Sequence, residues 1–311
     1  MVFLWFTVGL TLIVKGADWF TDSAVWIAKA TQVPQVIIGA TLVSLGTTLP
    51  ELSVSVYASA TGHPDVAVGN AVGSVIANIG LVLGLTVLMR SRAINRRLFM
   101  LNGGFMLGTG LLVTLMAQNG EIGRPEALVL LLVLGIFVRS SFKIAGAERA
   151  AAKSGPRAPA GSIRHQVLMF LLGAIMIGGG SRMVVTNATV IAGILGIPQL
   201  VVGLTLVAVG TSLPELVTAV TATVKGHHDI SVGNILGANF LNLTWVTGGA
   251  ALVSPLAVAG NTQVMDLPFM ILSMVILLAF GLTKHTLSRW EGGLLLLFYA
   301  GYVAALFLLL A

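Results

Sequence analysis

Two glutamates stand where an apolar chain should avoid them. Glu51 closes the string Gly46-Thr47-Thr48-Leu49-Pro50-Glu51, and Glu215 closes Gly210-Thr211-Ser212-Leu213-Pro214-Glu215, each inside a long apolar run. A charged side chain at the centre of a bilayer costs at least about 2.5–3.5 kcal/mol, so it marks a pathway or a site. Each string also carries a proline, which lacks an amide hydrogen and blocks the carbonyl one turn earlier. The helix is therefore expected to break near Ser44 to Thr48, and in the second string near Ala208 to Ser212. Carbonyls freed at membrane depth need a protein group, water or a cation to satisfy them. Together with the hydroxyls of Thr47, Thr48, Thr211 and Ser212, the carboxylates and carbonyls form a set of hard oxygen ligands. Calcium takes about 6–8 such oxygens in flexible geometry, and no His or Cys is nearby to favour a transition metal.

The next apolar runs supply more polar atoms. Ser74 and Asn78 lie one turn apart on one helical face; Asn242 matches Asn78 in the second half, while Ala238 replaces the serine. Asn70 and Asn234 each follow a glycine and read as capping or packing residues rather than ligands. Lys15 and Asp18, one turn apart, read as a structural ion pair, and Arg182 aligns with Asp18, which suggests a bridge between the first and sixth runs. His63, His227 and His228 fall in loops and read as interfacial. A proline can be only a kink, and a glutamate only half of a proton-sharing pair. The doubled string argues against both for Pro50, Pro214, Glu51 and Glu215.

These residues need elements to hold them. The chain has 311 residues, 56% hydrophobic and 9% charged, against about 25% charged in soluble domains, so it is a polytopic membrane protein. Its net charge of +6 falls between apolar runs and reads as a topology signal rather than a nucleic-acid footprint. With no cysteine, disulfides and thiolate metal sites are excluded. Ten spans are expected, at 2–29, 35–61, 67–89, 98–118, 125–145, 165–192, 199–224, 231–253, 264–282 and 290–310, most near the length a bilayer demands. The first lacks a basic leader and a cleavage pattern, so it reads as a retained helix. Residues 146–163 form the one obvious linker, too short for a folded domain. With the N-terminus outside, 14 of the 17 Lys and Arg residues fall on inside loops and span ends. The positive-inside rule then puts both termini outside the cell membrane and the linker in the cytoplasm.

The doubling extends beyond the strings. Residues 31–78 align with 195–242 without a gap, and 22 of the 48 positions are identical. Shared apolar composition does not explain identical Pro, Glu, His and Asn. Each half, 1–145 and 164–311, holds five spans, an odd number, so the second must lie inverted relative to the first. Two inverted five-helix repeats imply a pseudo-two-fold axis in the membrane plane and a site at the midplane where the broken spans meet. The fold class is thus an all-α integral membrane protein.

The strings ending in Glu51 and Glu215, with Gly69-Asn70-Ala71-Val72-Gly73-Ser74-Val75-Ile76-Ala77-Asn78 and its second copy, resemble the two α-repeats of the calcium/cation antiporter superfamily. The chain is most similar to its compact prokaryotic sodium/calcium exchangers, over nearly its whole length. That resemblance implies a calcium site on Glu51 and Glu215, with oxygens from Thr47 and Thr211. It implies flanking sodium sites on Thr48, Ser212, Ser74 and the carbonyls of Ser44 and Ala208, with Asn78 and Asn242 lining the middle. It also implies that the first and sixth spans slide across the other eight. Two positions depart from the pattern. Ala238 stands where the family usually has serine, and Asn242 where relatives often have aspartate.

The charge balance suits antiport. Two carboxylates are neutralised by one calcium or by two or more sodium ions, and the two loads compete for the same oxygens. Each tenfold sodium gradient contributes about 1.4 kcal/mol per ion, and a net charge crossing 100 mV about 2.3 kcal/mol. The expected substrates are Ca2+ and Na+ as transported ions, with the lipid bilayer as solvent, no cofactor, no nucleic acid and no obligatory protein partner. A proton/calcium or potassium-assisted exchanger is the nearest alternative. A passive cation channel lacks support from the inverted halves. An enzyme lacks a nucleophile–base pair within the spans.

Overall fold

The computed structural model describes residues 1–151, 161–195, 208–283 and 286–310. Helix α1 (Val2–Thr31) ends at Gln32, whose left-handed backbone (φ 56°) turns the chain back. A broken pair follows: α2 (Gln35–Thr47) and α3 (Leu49–Ala60) meet at Thr48 with a bend of 45°. Then come α4 (Pro64–Met89), α5 (Arg96–Asn119), α6 (Arg124–Ala151) and α7 (Ile163–Ile194). Helices α8 (Ala208–Thr211) and α9 (Leu213–Val224) form a second break, at Ser212. The chain finishes with α10 (His228–Val253), α11 (Thr262–Leu282) and α12 (Arg289–Leu310).

Among the described residues, eight helices are long and apolar enough to cross a bilayer, and α2 with α3 makes a ninth span if the bent pair counts as one. The expected seventh span, 199–224, begins in residues outside the description. Its remainder, α9, is a shorter apolar helix. Half of the expected linker, 152–160, lies outside the description too, while α6 continues through the linker's first residues to Ala151.

Helices α4 and α10 form the centre, with 72% and 83% of their most apolar stretch buried, against 22% for α1, α6 and α12. Both contain a π-helical segment, Asn78–Leu83 in α4 and Asn242–Val246 in α10. Such segments admit an extra residue into a helix and concentrate at functional sites. Glycines let these helices close on their neighbours: a Cβ at Gly233 or Gly237 of α10 would collide with the backbone of Val36 or Ala40 in α2.

Two short antiparallel ladders tie the ends of the molecule. Strand β1 (Arg92–Ala93) pairs with β4 (Thr286–Leu287), and β2 (Glu121–Ile122) with β3 (Leu256–Ala257). Each joins the early part of the chain to the late part. The turns leading into α6 and α12 are built alike. Glu126 Oε2 accepts from the Gly123 amide at 3.0 Å, and Glu291 Oε2 from the Ser288 amide at 2.6 Å.

Candidate ion-binding site

The two strings become two helix starts. Leu49 and Leu213 open α3 and α9, so Pro50 and Pro214 occupy the first turn, where a missing amide hydrogen does no harm. Glu51 and Glu215 then fall in that same first turn, at the positive end of each helix dipole, which favours a carboxylate. The spelling Thr48-x-x-Glu51 and Ser212-x-x-Glu215 is that of a capping box. Neither cap is made, since the Thr48 and Ser212 hydroxyl oxygens accept no bond from the amides of the first turn. The side-chain oxygens that would ordinarily close the helix ends remain available.

Both glutamates are fully buried, and none of their four carboxylate oxygens has a hydrogen-bond partner. The two carboxyl groups nevertheless face each other, and Glu215 also faces the hydroxyls of Thr47 and Thr48. Around them the same condition repeats. Ser74 Oγ, Ser212 Oγ and both side-chain amide atoms of Asn78 and Asn242 are buried without partners. A buried polar group left unpaired costs about 1–3 kcal/mol. So many together, on α4, α10 and the broken helices beside them, mark a polar binding site rather than an apolar core.

Thr47 and Thr48 are also buried, and their bonds differ from expectation. The carbonyl of Ser44 is not free. It accepts from the Thr48 amide at 2.9 Å, the Thr48 hydroxyl at 2.7 Å and the Thr47 hydroxyl at 3.3 Å. The carbonyl that Pro50 cannot serve lies four residues before it, at Gly46. A hydroxyl whose proton goes to a backbone carbonyl still presents lone pairs to a cation. Thr47 Oγ1 also lies 3.2 Å from Asn234 Oδ1, while Asn234 Nδ2 is buried without a partner. Turning the Asn234 amide over satisfies both, with nitrogen donating to Thr47. Thr211 is half-buried, and Ala208 contributes its backbone to the first turn of α8.

Asn70 packs rather than caps. Its Nδ2 donates to Ser55 Oγ at 2.9 Å and to the Glu51 carbonyl at 3.3 Å, fastening α4 to α3. Asn239, beside Ala238, is fully buried and leaves its Oδ1 without a partner. Its Nδ2 points to Met106 Sδ on α5 at 3.6 Å. Among the described residues, four further side chains that the motifs do not include are buried with an unpartnered atom: Thr21 and Ser181 on α1 and α7, Asn102 on α5, and Thr218, one turn beyond Glu215. The spacing of Thr218 from Glu215 was a readable signal.

The expected pairing of Asp18 with Lys15 or Arg182 does not form. Lys15 and Arg182 lie exposed, and Asp18 is paired with Lys225 at the end of α9. Among the described residues no cluster of three or more His, Cys, Asp or Glu side chains exists. Two carboxylates with hydroxyls and amides make a moderate-charge oxygen site, suited to a cation that must leave again.

A helical membrane protein with paired, proline-broken helix starts and a buried oxygen site is the architecture of an ion carrier. The sodium/calcium exchanger protein family matches residues 1–143 and 165–308, and the chain belongs to that family. It is 33% identical over 343 residues to the sodium/calcium exchanger MaX1 of Methanosarcina acetivorans, covering 98% of each chain. It is 38% identical over 255 residues to the inner membrane protein YrbG of Escherichia coli, covering 80% of this chain and 78% of YrbG. Its fold superposes on the solved sodium-calcium exchanger NCX_Mj with a TM-score of 0.85 at 30% identity, covering 98% of both chains.

Proposed function

We propose that this chain is a secondary antiporter that exchanges Ca2+ for Na+ across a membrane by alternating access, and that it is not an enzyme. One observation carries the reading: two fully buried glutamates from matching strings, with all four carboxylate oxygens unpartnered. One calcium or two sodium ions neutralise that pair, so the loads exclude each other and exchange follows. Glu51, Glu215, Thr47 and Thr211 hold calcium. Thr48, Ser212, Ser74 and the Ser44 and Ala208 carbonyls serve sodium, and Asn78 and Asn242 line the centre.

The architecture we infer is ten spans in two inverted five-helix repeats, residues 1–145 and 164–311, joined by a cytoplasmic linker at 146–163. Three features support it. The family matches once on each side of that linker. The pairs Arg92–Leu287 and Ala93–Thr286 of one ladder have their counterparts in Ile122–Leu256 and Glu121–Ala257 of the other. The Glu126 and Glu291 turns repeat the same bond. The positive-inside distribution supports both termini outside a prokaryotic plasma membrane.

Calcium flux in proteoliposomes under sodium, potassium and proton gradients, imposed one at a time, tests the reading. Sodium-loaded vesicles should take up calcium, and Glu51→Gln or Glu215→Gln should abolish it. Uptake that survives either change, or that follows pH without sodium, removes the assignment.

A further inference from the structure

A cavity of about 520 Å³ opens on the flank of the molecule between α2, α6 and the π-helical part of α10. Its walls run from Val33 and Ala145 at one end to Leu45, Leu134 and Trp245 at the other, with no charged residue among them. Thr41 and Ser141 bring the only hydroxyls, and that of Thr41 is spent on the Ile37 carbonyl at 2.6 Å. From Leu134 to Ala145 the groove follows α6 for roughly 16 Å. That is close to half of the roughly 30 Å hydrocarbon core, the depth of one leaflet.

The end at Val33 and Ala145 is basic. Arg149 continues the groove face of α6 one turn beyond Ala145 and is exposed. Leu98 packs with Val33 and Ala145, which brings its neighbour Arg97 to the same end, 81% exposed and only 3.9 Å-close to Glu148. Lys29, also exposed, stands in the last turn of α1, four residues before Val33. An apolar slot one leaflet deep with cations at its mouth matches one ligand chemistry: a long acyl chain below an anionic headgroup.

We propose that this groove is a binding site for one acyl chain of an anionic phospholipid, whose phosphate is held by Arg97 and Arg149 with Lys29 beside them. A chain there lies against the π-helical segment Gly39–Val43, which leads directly into Ser44 and the ion site. The occupant thus braces the wall of the helix that carries Thr47 and Thr48.

Trp245 in the wall reports occupancy. In a variant with Trp5, Trp19, Trp26 and Trp290 changed to Phe, acyl-brominated phosphatidylglycerol should quench Trp245 at a several-fold lower mole fraction than acyl-brominated phosphatidylcholine. Arg97→Gln with Arg149→Gln, which leaves the apolar slot intact, should raise the phosphatidylglycerol requirement to that of phosphatidylcholine. Ala145→Phe should weaken quenching by both. Native mass spectrometry of the otherwise unsubstituted chain should find one retained phosphatidylglycerol, lost in the double arginine variant. Equal quenching by the two lipids, or a preference that survives removal of both arginines, overturns the proposal.

Discussion

The ammonium of Lys225 lies 2.7 Å from Asp22 Oδ1, and the same nitrogen is paired with Asp18 one turn earlier on α1. One lysine at the end of α9 thereby clasps two carboxylates on α1, the helix that the family resemblance expects to slide. Burial pushes the Lys225 ammonium down, but hydrogen bonds and charge from Asp18 and Asp22 outweigh it and raise its pKa. A raised lysine pKa stabilises below the ordinary value and is lost only as pH rises through the folded value, above 10.5. At neutral pH the clasp is therefore constant. Its carboxylates are 45% and 59% exposed, so solvent screening limits its worth to about 1 kcal/mol. Lys225→Met should accelerate exchange by up to about fivefold and remove its salt dependence. An unchanged rate in stopped-flow flux would show that the clasp does not restrain α1.

His227 stands two residues away, and the pH dependence belongs to it. Burial lowers its pKa below 6.5, Lys29 and Lys225 reinforce the shift, and Asp22 opposes it. A histidine held neutral by the fold contributes stability above the unfolded value, and this is lost as pH falls from about 6.5 through the folded value. The thermal midpoint should drop between pH 7.5 and 5, and His227→Gln should flatten part of that slope. Identical slopes would assign the acid sensitivity elsewhere.

Much of the site was legible because the strings ending in Glu51 and Glu215 break two local rules at once, placing a carboxylate and a proline in apolar runs. The break fell at Thr48 and Ser212, within the expected stretches. The Thr48-x-x-Glu51 spacing also spelled a capping box, yet only the folded chain reveals that its oxygens are left unspent. The Asp18 partner was not legible. Lys15 has the right helical spacing, whereas Lys225 lies 207 residues along the chain and meets Asp18 only through packing. The π-helical segments at Asn78 and Asn242 were hidden for a similar reason. They depend on which neighbours compress the helix, and apolar spans carry little periodic signal to betray a change of register.

Gly16 of α1 and Gly173 of α7 interlock. A Cβ on Gly173 would come within 2.7 Å of the Gly16 carbonyl oxygen, and one on Gly16 within 2.9 Å of the Gly173 carbonyl oxygen. One turn away Phe20 stacks on Phe170 with ring centroids 4.2 Å apart. The two helices thus form one unit held by backbone contact, as small residues permit inside membranes. Gly173→Val should cost about 1–3 kcal/mol by overpacking and slow exchange, because the two helices would no longer move together. Gly179→Ala, where a Cβ meets nothing within 4 Å, should leave both thermal midpoint and rate nearly unchanged. Equal effects from both changes would refute the interlock.

Position 238 offers the sharpest test of how the ions divide the site. Ala238 is fully buried and sits one turn before Asn242 on the same face of α10, while its counterpart Ser74 stands one turn before Asn78 on α4. Ser74 Oγ is an unpartnered buried oxygen, so the first half offers a hydroxyl where the second offers a methyl group. The neighbouring Asn239 spends its Nδ2 on Met106, and its Oδ1 is buried without a partner one position along the helix, about 100° from the face that Ala238 shares with Asn242. Ala238→Ser adds one heavy atom and restores a neutral oxygen without altering the charge that calcium neutralises. The half-saturating sodium concentration should therefore fall several-fold, with each tenfold worth about 1.4 kcal/mol, while calcium affinity without sodium changes little. If the sodium requirement stays fixed, the hydroxyl at this position is not a sodium ligand. If calcium affinity rises in step, the two ions share that corner of the site rather than dividing it.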